Sequence, residues 1–251
     1  MVPVVIRASV SAPTNQAEEL RARFIELAPE GFEEVERAGG VELAAYGPAA
    51  ESVLAAFPEA AVSEVGDDWP DRWREFHHSV RIGPLWVGPP WETPPTDAVS
   101  VVIDPGRAFG TGAHPTTRLS LELLFEQSRG SMVDLGCGSG VIAIAAARLG
   151  FSPVLALDID EVAVEVTNSN AAANGAQLTA MQADALVDEL PEAGLVVANI
   201  ALEAVGAIGR RLTAGSVITA GYLAVDVLEL SGFTHVERRE LDGWAADLFE
   251  R

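Results

Sequence analysis

The first quarter of the chain alternates strand-like and helix-like patterns of apolar residues. Residues 4–10 (VVIRASV) are rich in β-branched side chains that alternate along the run, which predicts a strand. In residues 14–28, apolar side chains recur at spacings of three and four, which predicts a helix. The apolar positions of this helix are Ala17, Leu20, Phe24 and Leu27.

Residues 31–47 carry two strand-like stretches on either side of a Gly-Gly pair, which predicts two strands joined by a turn. A short helix at 49–57 and a last strand at 60–66 follow. The complete order is strand, helix, strand, strand, helix, strand. This order predicts a small ferredoxin-like α+β domain over residues 1–65.

From residue 99 onwards, apolar runs suited to buried parallel strands alternate with helical segments. The runs are VSVVID, SMVDLG, PVLALDID, LTAMQAD, GLVVANI and GSVITAG. Strands that are apolar on both faces are typical of a parallel sheet covered by helices on both sides. Residues 99–251 are therefore predicted to form a doubly wound α/β domain.

Residues 66–98 separate these two regions and have a different composition. The stretch 67–79 is rich in tryptophan and charge and predicts a helix or a docking linker. A cluster of five prolines follows, which indicates turns, short strands or an irregular connector. For Trp86 and Trp91, packing between domains is favoured over a position in a binding site.

Composition and charge limit the classes of function that this chain can have. The net charge of −21 argues against sequence-independent nucleic-acid binding and is compatible with a basic protein partner. All sixteen basic residues are arginines, and the single cysteine, Cys137, excludes an internal disulfide. With no apolar run long enough to span a membrane and no leader-like start, we expect a cytoplasmic protein without a membrane partner. No metal site is predicted.

The strongest local motif is VDLGCGSGVIAIAAARLG at 133–150. A strand ends near Asp134, a loop with Gly136, Gly138 and Gly140 follows, and an alanine-rich helix begins. Open α/β sheets bind ligands at this end of the strand, so we expect a binding loop here. The spacing is G-x-G-x-G, and Val141 stands where the dinucleotide fingerprint requires glycine or alanine.

Acidic residues end the next two predicted strands. Asp158 follows the run VLAL, at the position where a carboxylate can accept both hydroxyls of a ribose. Asp184 ends the run TAMQA, where an adenine amino group would lie in the same geometry. Together with the glycine loop, these acids predict a nucleotide-like ligand.

These residues resemble a known family. The order D-x-G-C-G-S-G, D-I-D, A-D is similar to that of class I S-adenosylmethionine-dependent methyltransferases. The stretches IDPGRAFGTGAHPTT, VVANI, VGPPW and GWAADLFER resemble the methyltransferase family of large-subunit ribosomal protein L11 (PrmA type). The resemblance implies a seven-stranded Rossmann-like methyltransferase domain behind the ferredoxin-like domain, with S-adenosyl-L-methionine as cofactor.

The resemblance also implies roles for residues of this chain. Cofactor contacts fall on Thr117, Gly136, Asp158 and Asn199, with Asn199 and Thr117 as the catalytic pair. The loop at 108–117 would cover the methionine portion of the cofactor. The full set of predicted cofactor-binding residues is Phe109, Gly110, Thr111, Thr117, Gly136, Gly138, Gly140, Asp158, Asp184 and Asn199.

Several neighbouring polar residues have structural interpretations. Thr116 or Thr117 is an alternative candidate for the cap of the helix that starts at Pro115. For His114, a conformational role is favoured over proton transfer. Asp160 is predicted to cap the following helix, and the asparagines of NSNAAANG to serve its end. Cys137 is not expected to act as a nucleophile.

The predicted activity is methylation of lysine side chains, and of the N-terminal amine as an extension, in ribosomal protein L11. Alternatives stay open: a related methyltransferase acting on another protein or a small molecule, a cofactor-binding domain without activity, or a dehydrogenase. The sequences IALEAV and TAGYL depart from the family pattern near the expected acceptor side. The absence of the N-P-P motif after Asn199 disfavours a nucleic-acid substrate. A monomer is favoured.

Overall fold

The structure is a computed structural model that describes residues 5–13, 16–28, 32–37, 39–65, 78–104 and 112–251. The chain divides into two compact units, Met1–Phe76 and His77–Arg251. The segment 67–79 was predicted as a helix or docking linker, and its residues 67–77 lie outside the described residues. So do three predicted cofactor-binding residues, Phe109, Gly110 and Thr111.

The first unit is one antiparallel sheet with two helices packed against it. Its elements are β1 (Val5–Pro13), α1 (Ala17–Leu27), β2 (Glu33–Arg37), β3 (Gly40–Tyr46), α2 (Pro48–Ala56) and β4 (Ala61–Val65). The sheet order is β2-β3-β1-β4, with every neighbouring pair antiparallel. Phe24 of α1, Leu43 of β3 and Val53 of α2 are fully buried in its core. The helical spacing seen in the sequence thus places one face of α1 on the sheet.

The second unit begins with a small sheet of three strands. These are β5 (Val80–Ile82), β6 (Leu85–Gly88) and β7 (Val99–Val102). Strand β6 pairs antiparallel with β5 and parallel with β7. The run VSVVID was predicted as a strand of the doubly wound sheet, and the structure corrects this, because β7 belongs to the small sheet.

The described part of the predicted connector, 78–98, lies in the second unit. Ile82, Leu85 and Val87 are buried in the same core cluster as the helices of the large sheet. Trp86 is also buried. Prolines indicated an irregular segment here, but a short run before Pro84 and another between Pro84 and Pro89 form β5 and β6 in one sheet with β7.

The large sheet has seven strands in the order β10-β9-β8-β11-β12-β14-β13. The first five run parallel, and the last two are antiparallel to their neighbours. Their bounds are β8 (Met132–Leu135), β9 (Val154–Asp158), β10 (Thr179–Gln182), β11 (Ala193–Asn199), β12 (Ala214–Leu223), β13 (Thr234–Leu241) and β14 (Trp244–Glu250).

Helices cover both faces of this sheet. They are α3 (Pro115–Glu126), α4 (Val141–Leu149), α5 (Glu161–Ala173) and α6 (Leu202–Ile208), followed by a 3₁₀ turn at Gly209–Arg211. Alternate residues of β11 enter different apolar clusters: Leu195 and Val197 pack with α3 and α4, whereas Val196 and Ala198 pack with α6. This alternation is the mark of a strand that is buried on both faces. Among the described residues, no helix is long and apolar enough to cross a membrane.

Candidate functional site

The glycine loop connects β8 to α4 at the carboxyl edge of the parallel strands. The backbone N–H groups of Gly136 and Cys137 both donate to the carbonyl of Leu157 on the neighbouring strand, at 2.8 and 3.1 Å. Gly136, Gly138 and Gly140 have φ angles of +74°, +54° and +81°. The loop therefore turns through a path that side chains with a Cβ rarely adopt.

Gly136 is required for a second reason. A Cβ on this residue would clash with the side chain of Ile200, which directly follows β11. Leu135 and Ala198 are paired in the sheet, so Gly136 and Asn199 are the next residues on the two neighbouring strands. The loop and the end of β11 thus lie side by side.

Asp158 is held against this loop. Its Oδ2 accepts a hydrogen bond from the backbone N–H of Gly138 at 2.9 Å, and its Oδ1 accepts one from Asp160 N–H at 3.0 Å. A carboxylate offers about four acceptor positions, so lone pairs remain for ligand hydroxyls. The structure therefore brings together the two features, glycine loop and strand-end acid, on which the predicted nucleotide-like site depends.

Asp134 lies beneath the loop and is only 1% exposed. Its Oδ2 accepts a hydrogen bond from the N–H of Ala143, in the first turn of α4, at 3.1 Å. Its Oδ1 is buried and has no hydrogen-bond partner among the described residues. Burial raises the pKa of Asp134 to about 7, the hydrogen bond from Ala143 opposes this, and the negative charge of Asp158 adds to it. A buried, partnerless oxygen of this kind is suited to a ligand that carries a donor or a positive charge.

Helix α5 holds the loop from the side through Thr167 and Asn170. The hydroxyl of Thr167 donates to the carbonyl of Gly138 at 3.0 Å, and Nδ2 of Asn170 donates to the carbonyl of Ser139 at 2.9 Å. Oδ1 of Asn170 accepts from the N–H of Asp104, just beyond β7, at 3.3 Å. Asn170 therefore links the glycine loop to the small sheet.

Asn174, one helical turn after Asn170, also links α5 to the small sheet. It forms two hydrogen bonds with the backbone of Val102: it accepts from the N–H at 2.8 Å and donates to the carbonyl at 2.6 Å. The prediction that it ends the helix is confirmed, since Asn174 is the C-cap residue of α5 and Gly175 follows at φ +59°. The cross-links were missed, although an i, i+4 pair of asparagines indicates that both lie on one helix face.

Cys137 lies inside the loop, and its surroundings give its thiol low reactivity. Its Sγ is 3.3 Å from the hydroxyl of Thr167. Burial raises the pKa of the thiol to about 12, and the charge of Asp134 adds to this effect. A neutral, buried thiol is a poor nucleophile, which supports the expectation that Cys137 does not react.

Helix α3 starts at Pro115, as predicted. The N-cap residue is His114, whose Nδ1 accepts from the N–H of Thr116 at 3.3 Å, so the alternative in which Thr116 or Thr117 is the cap is wrong. The imidazole ring reaches the N–H groups of the first turn as an Asn or Ser side chain does. Burial lowers the pKa of His114, and its ring packs edge-on against Trp244 at 4.9 Å. A neutral capping imidazole agrees with the structural interpretation.

Thr117 lies in the first turn of α3 and is only 1% exposed. Gly112, just before this helix, has φ +91°, and a Cβ there would clash with the side chain of Val87 on β6. Gly112 is thus, in the described structure, a point of close approach to the small sheet.

Asn199 is the last residue of β11 and is half-buried. Its backbone is in register with Ala220 of β12. Its side-chain amide has no hydrogen-bond partner in the part of the chain that the structure describes. An unpaired amide at the strand end, next to the glycine loop, is free to orient a ligand group.

Two further acids have structural partners. Asp160 caps α5, as predicted, by accepting from the N–H of Val162 at 2.9 Å. Asp184 closes a turn after β10: its Oδ1 accepts from Leu186 N–H, and its own N–H donates to Asp188, both at 2.8 Å. A contact between Asp184 and a ligand stays a prediction.

Comparison with known proteins shows which family the chain is similar to. The sequence profile of the family described as ribosomal protein L11 methyltransferase (PrmA) matches residues 42–246. The ribosomal protein L11 methyltransferase of Lacticaseibacillus paracasei is 38% identical over 211 residues, which cover 75% of this chain and 67% of the relative. That of Exiguobacterium sibiricum is 39% identical over 207 residues, covering 74% and 64%. The chain thus spans about two thirds of the length of these curated relatives.

A solved structure shows the same likeness. The crystal structure of a ribosomal protein L11 methylase from Lactobacillus delbrueckii subsp. bulgaricus superposes with a TM-score of 0.61 at 29% identity. The superposition covers 69% of this chain and 98% of that one.

The fold and the site define a Rossmann-like α/β protein of the S-adenosylmethionine-dependent methyltransferase class. The family match extends over most of the chain. The chain belongs to the ribosomal protein L11 methyltransferase (PrmA) family, which confirms the resemblance seen in the sequence.

Membership in this family implies S-adenosylmethionine as the cofactor, and the residues present fit it. Gly136 turns the loop at a φ of +74° that residues with a Cβ rarely adopt, and Asp158 presents acceptors for hydroxyls at the strand end. The partnerless oxygen of Asp134 is a buried acceptor beneath the same loop. These three features suit a ligand with a ribose and a cationic portion.

Proposed function

We propose that this chain transfers methyl groups from S-adenosylmethionine to lysine side chains of large-subunit ribosomal protein L11, and to its N-terminal amine. The observation that carries the proposal is the position of Asn199. Its amide, which has no hydrogen-bond partner among the described residues, ends β11 directly beside the glycine loop that Asp158 holds in place. The relatives described above carry the name ribosomal protein L11 methyltransferase, which supports the proposed substrate.

The cofactor supplies a methyl group on a positively charged sulfur, which is already a good leaving group. The protein must therefore present a neutral amine in line with it. Deprotonating a lysine of pKa about 10.4 at pH 7 costs roughly 4–5 kcal/mol. The side-chain oxygen of Asn199 can accept a hydrogen bond from the amine and so direct its lone pair. Because an amide does not titrate, Asn199 orients the amine, and the proton leaves to solvent.

The two units divide the work in this proposal. The first unit, whose βαββαβ order and antiparallel sheet are those of a ferredoxin-like domain, recognises the protein substrate over residues 1–65. Residues 66–98 lie between it and the methyltransferase domain at 99–251, and their described part, 78–98, packs in the second unit. That domain is a seven-stranded Rossmann-like sheet that carries Thr117, Gly138, Gly140, Asp184 and the residues discussed above as its cofactor site. We place the protein in the cytoplasm as a monomer that binds neither nucleic acid nor membrane.

The test is transfer of radiolabelled methyl groups to purified ribosomal protein L11, beside a lysate from which that protein has been removed. Label in ribosomal protein L11, mapped to lysines by mass spectrometry, is the expected result. Label confined to another component of the lysate supports the alternative, a related methyltransferase with a different acceptor. Because this chain has no lysine, self-methylation of lysine side chains cannot confuse the measurement.

A further inference from the structure

A turn that displays apolar side chains follows β12. Strands β11 and β12 are parallel neighbours, with Asn199 in register with Ala220. Strand β12 continues three residues further, to Leu223, with a bulge between Ala220 and Tyr222. The turn that begins at Leu223 therefore projects beyond the same sheet edge at which Asn199 ends.

Two valines on this turn are almost fully exposed. The exposed fractions are 84% for Val225 and 80% for Val227, and Leu223 is 44% exposed. The next apolar residues of the segment behave differently: Leu228 is partly buried and Leu230 is 3% exposed, both packed in the core on the α6 side. The segment is thus anchored by its leucines while its valines face the solvent.

Hydrogen bonds fix the shape of this turn. The carboxylate of Asp226 accepts from Leu223 N–H at 3.0 Å, and Asp226 N–H donates back to the carbonyl of Leu223 at 3.0 Å. Ala224 N–H donates to the carbonyl of Gly243 at 2.8 Å. The guanidinium of Arg238 donates to the carbonyls of Ala224 and Asp226 at 3.1 and 2.8 Å.

Arg238 is itself held by a buried carboxylate. Asp247, 1% exposed, accepts two hydrogen bonds of 2.9 Å from Arg238 and one of 2.7 Å from Tyr222. His235 lies 2.7 Å from the same carboxylate. An arginine that is held by a buried carboxylate and donates to two carbonyls of the turn restrains the turn, so the valines are presented with limited freedom. Rigid display of this kind lowers the entropic cost of binding a partner.

The turn also adjoins the start of α3. Leu223 pairs with Trp244 across β12 and β14, and the ring of Trp244 packs against His114, the N-cap residue of α3. Thr117 lies in the first turn of that helix. The exposed valines are therefore connected through two contacts to the helix that carries a proposed cofactor-binding residue.

Charge indicates what kind of partner fits. Glu229, Glu240 and Asp242 flank the turn in sequence or across the β13–β14 hairpin and are exposed. A second copy of this chain, also at −21, would be repelled, and two valines and a leucine are far below the roughly 1,000 Å² that a stable interface needs. A basic protein that also binds this chain at another surface fits both the negative charge around the turn and the small apolar area of the turn.

We propose that the turn Leu223–Val227 is a docking surface for the protein substrate, on which Val225 and Val227 contact apolar side chains next to the lysine to be methylated. This proposal rests on the proposed function. Apolar contacts position the backbone of the substrate, and the surrounding carboxylates favour its basic residues.

The test replaces both valines with serine in the full chain, V225S/V227S, and measures methylation of ribosomal protein L11. We expect KM for the protein substrate to rise at least tenfold, with kcat and the Kd for S-adenosylmethionine within twofold of the wild type. The matched control is Val236→Ser, because Val236 is 50% exposed on β13. Its kinetics should stay within twofold of the wild type.

The outcomes separate the two proposals. If the wild type methylates ribosomal protein L11 and V225S/V227S has an unchanged KM, the docking surface is refuted and the function stands. If the control variant raises KM as much as the double variant does, the effect is not specific to the turn, and the docking surface is again refuted. If the wild type transfers no label to ribosomal protein L11, the proposed function fails and takes this proposal with it.

Discussion

The backbone N–H of Gly138 donates a 2.9 Å hydrogen bond to the carboxylate of Asp158. The same carboxylate accepts from Asp160 N–H, so both of its oxygens are oriented before any ligand arrives. A strand-end acid that also fixes the glycine loop links two parts of one site. Removing it should therefore cost more than one ligand contact.

We predict that Asp158→Ala weakens S-adenosylmethionine binding by at least tenfold, measured by isothermal titration calorimetry. It removes acceptors for the ribose hydroxyls and the anchor of the loop. Asp158→Asn retains an oxygen for Gly138 N–H and should bind with intermediate affinity. Asp160→Asn is the control, since an asparagine still caps α5. Unchanged affinity in Asp158→Ala would refute the ribose role.

Asn199→Ala should lower kcat at least tenfold while changing the Kd for S-adenosylmethionine less than threefold. The reason is that the amide orients the amine more than it holds the cofactor. Single-turnover kinetics with ribosomal protein L11, beside calorimetry of the cofactor, separates the two quantities. Asn168→Ala, an exposed position on α5, serves as the comparison. Equal losses in kcat and affinity would make Asn199 a binding residue only.

Asn170→Ala should destabilise the protein by about 1–3 kcal/mol, because it leaves the buried carbonyl of Ser139 and the N–H of Asp104 without this partner. The free energy of unfolding from urea titration measures this. Asn168→Ala on the same helix should change it by no more than about 0.5 kcal/mol. If both variants lose the same amount, the cross-link between the loop and the small sheet contributes nothing.

The raised pKa of Asp134 predicts a particular pH dependence. Its folded-state pKa of about 7 exceeds its ordinary value, so the folded state binds this proton more tightly than the unfolded state does. Stability from this group is therefore largest at low pH and is lost as pH rises to about 7. Between pH 5 and pH 8 the wild type should lose roughly 2–3 kcal/mol that Asp134→Asn does not lose.

Urea titrations of both proteins at several pH values give this difference directly. Comparing the two pH profiles cancels the other titrating groups and any constant cost of the amide. Parallel profiles would mean that Asp134 stays ionised in the folded protein. The measurement is made without cofactor, because a cationic ligand near the carboxylate would lower its pKa.

Much of the fold follows from local patterns. The spacing of Ala17, Leu20 and Phe24 and the apolar runs of the parallel strands were sufficient to place most helices and strands, because burial on one or both faces imposes a period. The partner of a strand is not a local property. The run at 99–104 has the composition of a core strand, and nothing in it distinguishes the small sheet from the large one.

Some features of the candidate site could likewise be predicted from the sequence, and others could not. The placement of Gly136 and Asp158 at neighbouring strand ends could be predicted, since strand ends and glycine loops have sequence signatures. The cap at His114 and the links made by Asn170 could not. They depend on which backbone groups lie opposite a side chain, and that is decided by packing between elements distant in the sequence.

The position of the single thiol of this chain makes its labelling rate a measure of loop opening. Cys137 is buried within the glycine loop, and its high pKa keeps it protonated and unreactive while the loop is closed. A maleimide can reach the thiol only when the loop opens, so the rate of labelling measures how often the loop opens. Bound S-adenosylmethionine should slow that rate. The native sequence thus contains its own site-specific reporter of loop opening, with no second cysteine to confuse the signal.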